Sequence, residues 1–274
     1  MPKFTARDGI SLYYSDEGAG FPILCLAGLT RESSDFDYVS PFLNDCRLIR
    51  MDYRGRGKSD WTNDIMTYSI PFEAEDVIAL LDFLELERVA ILGSSRGGLI
   101  GLWLGTRFKE RILGIALNDI GPELEIAGLQ KIMNYLGKNP NWKTFAEAAI
   151  EKPKEMPGFI GVPHERWLNE VKRLYSETND GLQIKYDPRL RDATIEIAAS
   201  QQPDLWSFFD AIIDLPLAII RGENSDLLSS KTVHEMKRHD PDLIAAEVPD
   251  RGHIPFLDEP EALAAIRHWV GHMR

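Results

Sequence analysis

Chemistry concentrates in the segment Gly93-Ser94-Ser95-Arg96-Gly97. A hydroxyl with glycine at both second neighbours fits a turn so sharp that a side chain at either place would strike the adjoining strand or helix. The surroundings suit such a turn: Arg88–Leu92 runs in as a β-rich strand, and Leu99, Ile100 and Leu102 run out at helical spacing. Gly97, Gly98 and Gly101 let that helix lie close to the sheet. Ser95 then stands at a helix N-terminus, whose dipole favours developing negative charge. Ser94 is the rival hydroxyl but has no glycine two positions before it, so Ser95 is the candidate nucleophile.

A serine hydroxyl is a weak nucleophile near neutral pH and needs a general base, which in turn needs a partner to fix its tautomer. His253 alone among the six histidines sits in a glycine-marked loop after a strand, Pro249-Asp250-Arg251-Gly252-His253. The others, His164, His234, His239, His268 and His272, fall on helical or near-terminal segments and read as surface groups. The acid is sought at a strand's carboxyl end. Asp226, in Arg221-Gly222-Glu223-Asn224-Ser225-Asp226, is preferred; Asp119, in Leu117-Asn118-Asp119-Ile120, is the second candidate.

These residues need a scaffold of strands that end in loops. Apolar runs at Ile23–Ala27, Leu48–Met51, Val89–Leu92, Ile112–Leu117, Leu217–Ile220 and Leu243–Val248 lack alternation, as strands covered on both faces do. Helical patterns at Phe72–Leu86 and Glu259–Val270 lie between or after them. The fold class is α/β, a mostly parallel central sheet flanked by helices. Residues 1–120 and 204–274 form its core. Residues 121–203 break the alternation, with helical patches, prolines and aromatics but no convincing strand, and read as a helical cap or lid.

Hydrophobic residues make up 44% and charged residues 27%, an ordinary globular balance. The formal net charge of −12 disfavours binding to nucleic acid, and no apolar run is long enough to span a membrane. Cys25 and Cys46 cannot build a disulfide framework and read as plain thiols. No metal and no cofactor is implied. The expected partner is a small molecule, the expected state a monomer or homodimer, and the expected location the cytoplasm.

The segments at Ser95, at Gly222–Asp226 and at Gly252-His253-Ile254-Pro255, together with Asp52-Tyr53-Arg54-Gly55-Arg56-Gly57-Lys58-Ser59, resemble the α/β-hydrolase fold superfamily in content and order. That resemblance implies an oxyanion hole built from the N–H groups of Arg96 and Leu29. The sequence departs from the common pattern in having Ala27-Gly28 where a His-Gly pair is usual, and in placing Arg96 at a commonly apolar site. The Arg96 side chain is expected either in solvent or near the substrate and Arg31.

The implied reaction is hydrolysis of a carboxylic ester or lactone of a small to medium apolar substrate, through an acyl-enzyme on Ser95. C–C bond hydrolysis of a vinylogous diketone uses the same three residues and is the alternative. A binding protein that lost its chemistry is the remote one, since no member of the set is missing. Arg31, Trp142, Trp167 and Trp206 are the candidate substrate contacts.

Overall fold

The computed structural model describes residues 2–200 and 203–274. In chain order the elements are β1 Lys3–Thr5, β2 Ser11–Gly18, β3 Phe21–Leu26, β4 Cys46–Met51, α1 Ile70–Phe83, β5 Val89–Ser94, α2 Arg96–Arg107 and β6 Ile112–Asn118. There follow α3 Ile126–Tyr135, α4 Phe145–Glu155, α5 His164–Leu174, β7 Tyr175–Thr178, β8 Gly181–Ile184, α6 Leu190–Ala199 and α7 Leu205–Asp210. The chain closes through β9 Leu217–Gly222, α8 Ser230–His239, β10 Ile244–Val248 and α9 Pro260–Gly271.

Eight strands form one sheet in the order β1-β2-β4-β3-β5-β6-β9-β10. Only the pairs at the β1–β2–β4 edge are antiparallel; from β4 onward every pairing is parallel. The six expected strands all lie in this sheet. Strands β1 and β2 were not expected, because β2 carries Ser15, Asp16 and Glu17 in place of an apolar run.

Side-chain alternation splits the core into two layers. Leu24 and Leu26 of β3 join Ile49, Ile91 and Ile115 under α1 and α2. Ile23 and Cys25 face the other way with Ala90, Leu92 and Ala218, against Ile266 and Trp269 of α9. Burying each such Leu or Ile contributes about 1.5–3 kcal/mol. Asp76 of α1 is buried and pairs with Arg54 at 2.6 Å. Both thiols are buried and unpaired.

Between β6 and β9 the chain leaves the sheet. This stretch holds α3 to α7 and, contrary to the all-helical expectation, an antiparallel hairpin of β7 and β8. Its strands were hidden because Tyr-Ser-Glu-Thr is polar and exposed rather than apolar. Within the expected 121–203 cap, Gln201 and Gln202 lie outside the described residues. Among the described residues no helix is long and apolar enough to cross a membrane.

Candidate active site

The β5–α2 turn is as tight as its glycines require. A Cβ on Gly93 would lie 2.6 Å from the Gly97 backbone, and one on Gly97 would lie 2.0 Å from the Leu26 carbonyl oxygen. Ser95 itself takes φ 49°, ψ −115°, a strained conformation for a side-chain-bearing residue. Its N–H donates to the Asn118 carbonyl at 2.9 Å, which pins the turn to the end of β6. Ser94 points elsewhere: its hydroxyl accepts from the Asn118 side-chain amide at 2.9 Å.

The His253 ring reaches Ser95 from the loop after β10, with Nε2 3.0 Å from Oγ. The ring's Nδ1 lies 2.8 Å from Asp119 Oδ2. With Nδ1 carrying the proton toward the carboxylate, Nε2 is left to accept from the serine hydroxyl.

Asp226, the expected acid, is not the partner of His253. Its carboxylate pairs with Lys131 of α3 at 2.9 Å and is 37% exposed at the edge of the site. Asp119 holds the position because the backbone around it is fixed. Its own N–H donates to the Ile220 carbonyl at 2.7 Å, and its Oδ1 accepts from the Gly222 N–H at 2.8 Å. Its Oδ2 accepts from the Ser225 hydroxyl at 2.5 Å as well as from His253. The Gly222–Asp226 loop thus serves the acid through Ser225 and a backbone N–H rather than supplying it. The same loop is tied to the histidine loop, where the Asn224 N–H donates to the Arg251 carbonyl at 2.8 Å.

Among the described residues, neither the Arg96 nor the Leu29 N–H has a backbone acceptor. The Arg96 side chain is neither solvated nor turned toward Arg31: it pairs with Glu73 at 2.6 Å and donates to the Tyr68 carbonyl at 2.7 Å. Glu73 is fully buried and pairs also with Arg56 at 2.7 Å, whose Nε donates to the Leu29 carbonyl at 3.0 Å. One buried carboxylate therefore ties together both residues whose N–H groups were singled out. No pattern in the sequence marked Glu73, which sits in an amphipathic helix among other acids.

Ser95 and His253 open onto a cavity of about 420 Å³ between the sheet and the insertion. Leu29 and Phe256 line it from the core, and Tyr135, Met156, Phe159 and Trp167 from the insertion. Trp167 also packs on Phe159 with ring centres 5.8 Å apart. The other two candidate tryptophans do not line it: Trp142 packs edge-on against Tyr175, and Trp206 lies over His239 and meets Phe209 edge-on.

Arg31 lines the cavity but is already paired, with Asp35 at 2.6 Å and Glu170 at 2.7 Å. The two acids compete for it. Burial, with the Glu170 charge beside it, pushes the Asp35 carboxyl up to about 6. Burial works against Glu170 too, but Arg31 and Arg173 hold its carboxyl below the usual range. Among the described residues no group of three or more His, Cys, Asp or Glu side chains is placed to hold a metal ion.

A mostly parallel sheet with a serine on a strand–helix turn, and a histidine and an aspartate hydrogen-bonded in line from later strand ends, has the build of an α/β hydrolase. The model of the alpha/beta hydrolase family matches residues 23–266, and the chain belongs to that family. It is 36% identical over 251 residues to a 3-hydroxybutyrate-oligomer hydrolase of Cupriavidus necator, covering 88% of this chain and 85% of that one. It is 24% identical to 3-oxoadipate enol-lactonase 1 of Acinetobacter baylyi, covering 83% and 79%. An alpha/beta hydrolase from Novosphingobium aromaticivorans superposes with a TM-score of 0.91 at 35% identity, covering 98% and 97%.

Proposed function

We propose that the protein hydrolyses carboxylic esters through an acyl-enzyme on Ser95, and that its substrates are short esters of hydroxyalkanoic acids. The observation that carries this reading is the hydrogen-bonded chain from Asp119 through His253 to Ser95 at the cavity floor. The 3-hydroxybutyrate-oligomer hydrolase, at 36% identity, supports the substrate class.

Ser95 Oγ attacks the ester carbonyl carbon while its proton passes to His253 Nε2. The oxyanion that forms accepts from the Arg96 and Leu29 N–H groups, donors already oriented before the charge appears. Asp119 stays ionised and holds Nδ1–H, stabilising the imidazolium. That imidazolium gives its proton to the leaving alcohol oxygen as the C–O bond breaks. A water then attacks the acyl-enzyme, losing its proton to His253, which returns it to Ser95 as the acid departs.

The insertion serves as a cap that supplies the apolar wall. A fluorophosphonate probe, followed by mass spectrometry of the labelled peptide, tests the nucleophile. Labelling at Ser95, together with turnover of esters but not of lactones or dienones in a substrate panel, is the expected result. An unlabelled Ser95 in folded protein rules the reading out.

A further inference from the structure

The insertion's wall of the cavity carries a cation, Lys152, whose counter-charge is the half-exposed Glu155 at the long separation of 3.5 Å. The Lys152 side chain of α4 is 14% exposed, and its ammonium lies 5.9 Å from the Tyr135 ring centre and 5.7 Å from that of Trp142. Among the described residues the carboxylate within reach is Glu155, 3.5 Å away and itself 58% exposed. A good ammonium–carboxylate hydrogen bond is about 2.7–2.9 Å.

The cavity's other cations are committed or solvated. Arg31 is held by Asp35 and Glu170, and Lys131 by Asp226. Lys138 is exposed and donates to the Asn134 carbonyl. Burial holds the Lys152 amine below its ordinary range. A poorly paired ammonium in this position disfavours the empty site and favours any ligand that brings an anion. The aromatic rings beside it add a cation-binding surface but no counter-charge.

We propose that Lys152 anchors a free carboxylate at the end of the substrate remote from Ser95. This rests on the ester-hydrolysis reading above and narrows it: the site selects esters of dicarboxylic or oligomeric hydroxy acids over neutral esters of equal length. An oligoester keeps one free carboxylate whatever its length, so the scissile bond is counted from that end. Arg31, a candidate substrate contact from the sequence, is committed to Asp35 and Glu170.

The test uses p-nitrophenyl hexanoate and mono-p-nitrophenyl adipate, which share leaving group and chain length and differ in the terminal carboxylate. In Lys152→Met the charged-to-neutral ratio of kcat/KM falls about 10–100-fold, chiefly through KM, as loss of a charge-assisted hydrogen bond predicts. Lys152→Arg recovers part of the ratio. An unchanged ratio overturns the proposal, and so does an equal loss on both esters with no rescue by arginine, which marks a structural role. Adipate monoamide binding by calorimetry reads the anchor without turnover. A Kd weakened about 10-fold or more in Lys152→Met supports it, and equal Kd values overturn it. Failure of the ester reading shows separately, as absent labelling of Ser95 by the fluorophosphonate.

Discussion

The two walls of the cavity are built on different principles. On the sheet side, the reacting groups are held by backbone: Asp119 by the Ile220 carbonyl and Gly222 N–H, Ser95 by the Asn118 carbonyl. On the cap side, charged side chains do the holding, with Arg31 of the core reaching Glu170 of α5 and Asp226 reaching Lys131 of α3. Backbone hydrogen bonds between parallel strands leave little room for adjustment, whereas paired long side chains can exchange partners. On the proposed function, the reaction belongs to the sheet side and selection among substrates to the insertion.

The sharpest way to break this division is to remove each acid in turn. Asp119→Asn is expected to lower kcat by roughly 10⁴, the scale for a lost acid in such a set, since the imidazole then loses its tautomer control. Asp226→Asn is expected to change kcat less than about threefold, because it severs a partly exposed ion pair of modest worth. Steady-state kinetics on one ester check both, and the opposite ranking would return the acid to Asp226.

Glu73→Gln probes the sheet side more gently. It loosens Arg96 and Arg56 together, and through them the Arg96 N–H and the Leu29 peptide. The expected loss is about 10²-fold in kcat, the scale of one oxyanion donor, with KM little changed. A loss confined to thermal stability would make Glu73 a structural residue only.

The smallest effect belongs to the ion-pair cluster of Arg31, Asp35 and Glu170 that joins core and insertion. Asp35 keeps its proton up to about 6 in the folded chain, against an ordinary 3.8. Below the ordinary value both states are protonated and the contribution is fully present. As pH rises toward the folded value the unfolded chain ionises first, so stability is lost. The melting temperature of the wild type relative to Asp35→Asn should therefore decline between pH 4 and 6.5, by about 2–4 °C for each kcal/mol. A difference that stays flat or grows would show that Arg31 keeps Asp35 ionised throughout.

The sheet was legible because its central strands are buried on both faces and so are written as uninterrupted apolar runs. Strand β2, next to the sheet's edge, and the β7–β8 hairpin are solvated on at least one side, and their polar residues carry no such signal. At the site, the Ser95 turn was legible because its geometry tolerates only glycine at two places. The acid was not, since Asp119 and Asp226 both follow strands. What separates them is the direction of a carboxylate fixed by Gly222 and Ser225, a contact between residues over a hundred positions apart. Glu73 and Lys152 were invisible for the same reason: each matters through what surrounds it, and each looks like an ordinary charged helix residue in the chain.

The seat of Asp119 also governs how the molecule can be recombined. The carboxylate stands one residue beyond β6, and α3 begins at Ile126, so the acid and the doorway to the cap are nearly contiguous. Gly121 still belongs to the sheet side, where a Cβ added to it would lie 3.0 Å from Leu228 and 3.1 Å from Met236. A chimera that exchanges the insertion between β6 and β9 is to be spliced after residue 122. A junction placed earlier would exchange the acid's footing along with the substrate pocket.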